Sequence, residues 1–362
     1  MTFFLLNKGA ALWPFISLNK KGATLKLSTS SLFKKEDNFW PAYSPKTIAI
    51  IFLVLGQFAI ALGVFCIKLS VDEIGSLSTT FNRFWMAAMV LWLWNIASQP
   101  KPKSEQTHVI SKPESTSQSA EIAPTPMTYS TYLRFALCGL IFAACLVLWA
   151  WSLQYTTVAN STLMHDLSPL FATILGWLLF NHHFSKRFLM AVGLTLVGVV
   201  AIGFEDFQVG ISHLVGDSIA LASAILLALY CLLVGQLRQQ FTAGLVLLWT
   251  CLIGAVGLLP LILFTSAPLL PTTLLSWFAV AGVVCLSQII GQGLTAFSLK
   301  QLSSEFVSLF LPLEAVFAAL IAWLGWNEPL TPLNCFGFIL VLMGIYMALL
   351  SPGTTEAEEV TA

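Results

Sequence analysis

The chain has 362 residues, 57% of them hydrophobic and 9% charged, with zero formal net charge and a mean hydropathy of +0.84. This excludes an ordinary soluble globular domain, whose surface needs far more charge. The solvent for most of this chain is lipid.

Residues 1–45 begin with an apolar stretch that Lys8 interrupts, and no small-residue cleavage site follows it. The segment therefore reads as a cytoplasmic N-terminal tail and not as a signal peptide. Beyond it, apolar runs of roughly 17–25 residues, each long enough to cross ~30 Å of hydrocarbon, recur at ten places. They lie near Thr47–Ile67, Leu77–Ile96, Phe135–Leu153, Val158–Phe180, Phe188–Phe204, Gly216–Gly235, Thr242–Thr265, Leu274–Leu299, Leu302–Trp326 and Leu333–Leu350. Backbone groups in lipid must be satisfied within the segment, and these runs lack the alternation of barrel strands, so they are expected to be helices. Between the second and third runs, residues 98–128 are rich in Pro, Ser, Lys and Glu with almost nothing to bury, the composition of a disordered linker. Residues 351–362 form an acidic C-terminal tail.

Lys and Arg placement sets the orientation. Lys8, Lys20, Lys21, Lys26, Lys34, Lys35 and Lys46 precede the first run, and Lys101, Lys103, Lys112 and Arg134 lie between the second and third. Lys186, Arg187, Arg238 and Lys300 fall in the next connections on the same side, so the positive-inside rule puts both termini in the cytoplasm. The seven cysteines all sit in or beside apolar runs and read as small hydrophobes, not as disulfides or a metal cluster.

One segment occurs twice. Leu167–Ser185 returns without a gap as Leu313–Thr331, with identities at Leu167/Leu313, Phe171/Phe317, Ala172/Ala318, Trp177/Trp323, Leu178/Leu324 and Asn181/Asn327. The copies fall in the fourth and ninth runs, and the odd number of crossings between them inverts the second. The expected fold is an all-α polytopic membrane protein of ten transmembrane helices in two inverted five-helix repeats, residues 46–205 and 206–350. In secondary transporters such repeats enclose a site near the bilayer midplane.

The residues also resemble a family. The Arg of FNRFWMAA (Arg83), the Pro-anchored SPLFATILGWLLF (Pro169), the acidic turn WNEPLT (Glu328) and the endings GLTLVGVV and GFILVLMGIY look like the drug/metabolite transporter superfamily, specifically its EamA-like ten-span members. The resemblance covers about Lys46 to Leu350 apart from the linker, and it implies movement of a small metabolite without naming one. The chain departs from the family pattern at Asn181-His182-His183, where an acidic residue is usual, and at Ala315, where Pro is frequent.

Arg83 is the most conspicuous single residue, because a basic group at mid-span costs roughly 2.5–3.5 kcal/mol and must face a cavity or a partner. Counting ~1.5 Å per residue puts Arg83, Asp166 and Glu314 in about one layer. Two readings stand: Arg83 and Asp166 form a structural ion pair, or these groups line a transport cavity. In the second, Arg83 meets an anionic part of the substrate and Glu314 or Asp166 exchanges a proton; Glu314 is favoured because it has no obvious basic partner.

His165 adjoins Asp166 about 100° around the helix and reads as a packing residue or a proton relay. His182-His183 reads as a solvated turn. Gln288 and Gln292, four apart, share a helical face as substrate ligands or interhelical glue. Gln57 and Asn82 are weaker candidates of that kind. Gly193, Gly198 and Gly203 suit close packing or a bend.

No nucleotide-binding loop or catalytic motif is present. The expected function is secondary transport of a small organic solute across the cell membrane by alternating access, with protons as the possible coupling ion. No enzyme activity, metal, cofactor or nucleic-acid partner is expected. A membrane scaffold or sensor and an intramembrane enzyme built on His165, Asp166 and Glu314 are the alternatives.

Overall fold

A computed structural model describes residues 44–97, 129–152, 154–156, 158–203, 214–265, 267–326 and 330–351. The N-terminal tail up to residue 43, the linker 98–128, the turn containing Glu328, and the acidic tail from residue 352 lie outside the described residues. The helices in chain order are α1 Pro45–Ala97, α2 Tyr129–Ser152, α3 Val158–His165, α4 Ser168–Phe180, α5 Lys186–Gly203, α6 Leu214–Gln240, α7 Ala243–Thr265 and α8 Leu274–Gly282. A π-helical segment, Val283–Gly291, comes directly after, and then α9 Gln292–Ser298, α10 Ser304–Ser308, α11 Leu313–Trp326 and α12 Pro332–Leu349. Two compact units divide this chain. Among the described residues the smaller holds only the helical stretches 90–97 and 129–132, and the larger, residues 44–89 and 133–362, holds the helix packing and the site.

Among the described residues, nine helical stretches are long and apolar enough to cross a membrane. That is one fewer than the sequence suggests, because the first two expected spans share the 53-residue α1. Gly75 interrupts α1 at φ 78°, ψ 167°, backbone that residues with a Cβ rarely adopt. The chain folds back there. Gln57 Nε2 donates to Thr295 Oγ1 at 3.2 Å and Arg83 Nε donates to Gln288 Oε1 at 2.5 Å. In a straight helix Gln57 and Arg83 would stand about 40 Å apart, whereas Gln288 and Thr295 are separated by about 10 Å. Glu73, beside the bend, accepts hydrogen bonds from the backbone N–H and hydroxyl groups of Thr272 and Thr273 and ties this turn to the start of α8.

Both copies of the repeated segment lie in spans that are broken just where the repeat begins. Their expected single spans become α3 plus α4 and α10 plus α11, with tightened i→i−3 turns between: Leu170 N–H to Leu167 O at 3.0 Å in the first, and Leu313 N–H to Phe310 O and Glu314 N–H to Leu311 O, each at 3.0 Å, in the second. Proline explains each, since it has no N–H to give the preceding turn. Pro169 sits in the first turn of α4, and Pro312 immediately precedes α11. The position aligned with Pro169 is Ala315, so the second copy breaks at an equivalent place with a proline three residues earlier.

Small residues set the packing. At Gly198 an added Cβ would lie 2.7 Å from Val341 N and 2.8 Å from Gly337 O, so α5 and α12 meet backbone to backbone. Gly63 approaches the side chain of Ser287 and Gly139 that of Ile253, joining α1 to the π segment and α2 to α7. Gly193 differs, with open space at its Cβ position. Large apolar side chains point outward instead, with Phe264 87% and Leu324 74% exposed, as a lipid-solvated surface requires.

Gly198→Ala is therefore expected to destabilise the protein by about 1–3 kcal/mol through overpacking, and Gly193→Ala to leave it within about 0.5 kcal/mol. Thermal unfolding of the two variants in detergent checks this; equal midpoints would contradict the backbone contact.

Candidate functional site

The buried Arg83 lies on the second arm of α1, and side chains from several helices surround it. Nε donates to Gln288 Oε1 at 2.5 Å, and Gln288 in turn directs Nε2 to Cys251 Sγ on α7 at 3.2 Å. The guanidinium carbon stands 6.0 Å from the Phe142 ring centroid on α2. Phe142 stacks on Tyr230 of α6, with centroids 4.1 Å apart and planes 11° from parallel. A guanidinium carries five donors, and Nε supplies one. The terminal nitrogens have no hydrogen-bond partner among the described residues, and the residue is only 6% exposed. A desolvated cation with free N–H groups and an aromatic wall is a receptor for an anionic or π-rich group.

The carboxylates lie at the two breaks. Asp166 occupies the turn between α3 and α4, and Glu314 the first turn of α11. Arg83 and Glu314 lie close enough for their charges to attract, and Glu314 and Asp166 close enough to repel. Both carboxylates are half-buried. Of the two readings, the ion pair between Arg83 and Asp166 is not formed among the described residues, and Arg83 directs its Nε to Gln288. The fold-back at Gly75 brings Arg83 within electrostatic reach of Glu314, without an ion pair between them among the described residues.

The other candidates separate. His165 Nδ1 is 2.8 Å from Ser223 Oγ on α6, and its ring lies 5.8 Å from that of Trp149, which places it in a packed interhelical contact. Gln288 is fully buried on Arg83, whereas Gln292 is half-buried and makes no side-chain hydrogen bond among the described residues. Gln57 bridges to α9, and Asn82 Nδ2 donates to Leu269 O at 2.9 Å. His182 corrects the reading of a solvated turn: its Nδ1 is 2.7 Å from Oε1 of Glu305, a carboxylate only 1% exposed, while His183 remains exposed.

Sequence reasoning missed Phe142, Tyr230, Cys251 and Glu305. The first three are apolar-looking residues in apolar runs and carry no local mark. Glu305 did carry one, an acidic residue inside LSSEFVSLF. The π segment was also unforeseen; such segments are rare and concentrate at functional sites, and this one holds Gln288.

The EamA-like transporter family matches the chain twice, over residues 47–204 and 214–350. The uncharacterized transporter YyaM of Bacillus subtilis is 26% identical over 203 residues, which are 54% of this chain and 66% of its own. An uncharacterized transporter of Archaeoglobus fulgidus is 24% identical over 202 residues, covering 53% of this chain and 61% of its own. The thiamine-repressible mitochondrial transport protein THI74 of Saccharomyces cerevisiae is 31% identical over 160 residues, 42% of each chain. These matches span less than two thirds of the relatives' own lengths. A crystal structure with 14% sequence identity shares the fold, with a TM-score of 0.64 over 85% of this chain and 99% of its own. Its apolar helices make the chain an integral membrane protein, and its sequence over both halves makes it a member of the EamA-like transporter family.

Proposed function

We propose that the protein is a secondary transporter that moves a small organic solute across the cell membrane by alternating access, with the site at Arg83 and the two helix breaks. The carrying observation is the buried guanidinium of Arg83, whose terminal nitrogens have no partner among the described residues, within electrostatic reach of Glu314, which follows one of the two helix breaks that lead into the copies of the repeated segment. Interrupted helices at corresponding positions of two halves are the best pointer to a transporter's binding site.

Counting the arms of α1 on either side of Gly75 separately gives ten crossings in two halves, 46–205 and 206–350, and an inverted second half. Both termini then face the cytoplasm, in keeping with the Lys and Arg placement. Arg83 binds an anionic group of the solute through its free N–H groups, Gln288 holds the guanidinium in place, and the Phe142–Tyr230 stack forms an apolar wall. Glu314 exchanges a proton as the pathway alternates, since its attraction to Arg83 changes when the solute's anion takes the guanidinium. Asp166 and Gln292 lie beside the route, and His165 positions α3 against α6.

The solute is identifiable by comparing metabolites of cells lacking and overproducing the protein. In proteoliposomes an imposed pH gradient is expected to drive its accumulation, and Glu314→Gln to retain downhill flux while losing the accumulation. A variant that still accumulates solute at the wild-type ratio would remove Glu314 from coupling.

Loss of a charge-assisted hydrogen bond costs about 1.5–3 kcal/mol, so Arg83→Ala is expected to raise the half-saturating concentration roughly ten- to a hundredfold. Concentration-dependent uptake by folded variants checks this, and an unchanged half-saturation would exclude Arg83 from binding.

A further inference from the structure

The helix breaks divide each repeated span into two rods, and at one end of the bundle α4 and α10 are neighbours. A polar pair joins them there. Asn181, at φ 56°, ψ 31°, ends α4 in the left-handed conformation, and the N–H of His182 returns to Gly176 O at 3.2 Å. This closure brings His182 Nδ1 to 2.7 Å from Glu305 Oε1 in the first turn of α10, with the imidazole between Phe180 and Phe184. Gly176 makes room for the contact, since a Cβ there would collide with the Glu305 carboxylate. Ser304 Oγ, next in the chain, donates to Cys231 O at 3.1 Å, so α10 is also fixed to α6.

Two features mark the pair as more than packing. A buried carboxylate is a poor stabiliser compared with an apolar side chain of its size, and among the described residues this one makes a single side-chain hydrogen bond, to a residue at the helix rim. The duplicated scaffold also does not repeat it: the register that sets Leu313 on Leu167 sets Glu305 on Ala159 and Glu328 on His182.

We infer that His182 and Glu305 form a one-sided latch that shuts the transport route at the Asn181–Ser185 end. Opening toward that side parts the pair and swings α4 away from α10 about the turns at Asp166–Leu167 and Leu309–Pro312. The inference rests on the alternating-access reading.

Hydrogen–deuterium exchange of the full chain tests it, with His182→Ala and Gly176→Ala as two independent ways to break the contact and His182→Asn as the variant that keeps a donor near the Nδ1 position. Breaking the latch is expected to speed exchange of residues 181–185 and 299–303 about tenfold or more. It also slows exchange in 154–156 and 267–273 at the other end, because a population shift that opens one mouth closes its opposite. His182→Asn should stay near wild type. Faster exchange at the His182 end alone would make the pair a local packing contact and overturn the latch, as would no change in either broken variant. Reciprocal exchange changes in a protein that moves no solute would preserve the latch and overturn the transport reading instead.

Discussion

A peptide group in hydrocarbon has no water to bond, and each unsatisfied N–H or C=O there costs several kcal/mol. Continuous helices meet that demand unaided; a broken one survives only where protein or a wet cavity supplies what the break releases. The turns at Asp166–Leu167 and Leu309–Pro312 must therefore sit inside the bundle, and α6 runs beside both, packed on α3, α4 and α10. The carboxylates of Asp166, in the first turn, and Glu314, just after the second, obey the same constraint, since a half-buried charge tolerates an enclosed polar space and not lipid. The placement of the site thus derives from backbone chemistry before any side chain is assigned a role.

Much of the fold could be read from the sequence because lipid solvation leaves a coarse mark. Runs of apolar residues, the basic connections and the gapless return of LSPLF as LEAVF require only length and charge to interpret. Counting rises likewise put Arg83, Asp166 and Glu314 in about one layer as an expectation. What could not be counted was azimuth: rise per residue sets Arg83 at a depth but does not say that it turns toward Gln288. That angle depends on the fold-back at Gly75 and on the wider winding of Val283–Gly291, both tertiary outcomes. Pro312 was visible, but the register of the two copies points to Ala315, three residues later, and hides the displaced proline. Phe142 and Tyr230 offered no local signal, since a wall of a cavity and a piece of core use the same residues.

The two copies share a break and differ in its chemistry. Ser168 begins α4 with a buried hydroxyl that lacks a hydrogen-bond partner among the described residues, and the aligned residue in α11 is Glu314. The π segment, carried back in the same register, falls on residues 137–145, a stretch of ordinary α2. Duplication supplied a symmetric frame, and the ionisable and irregular parts lie mainly in its second half.

The contact between α5 and α12 carries a consequence for how the chain is made. Each helix is the other's wall at Gly198, Gly337 and Gly344, so neither can finish packing before its mate exists. Gly203 ends α5 and Pro332 begins α12, and roughly 130 residues must be polymerised between them. At ~5–20 residues per second the ribosome leaves α5 with an empty groove for on the order of 10 s. During that interval α5 presents its glycine face without the wall that α12 supplies. Assembly of the membrane domain is thus completed from its C-terminal end.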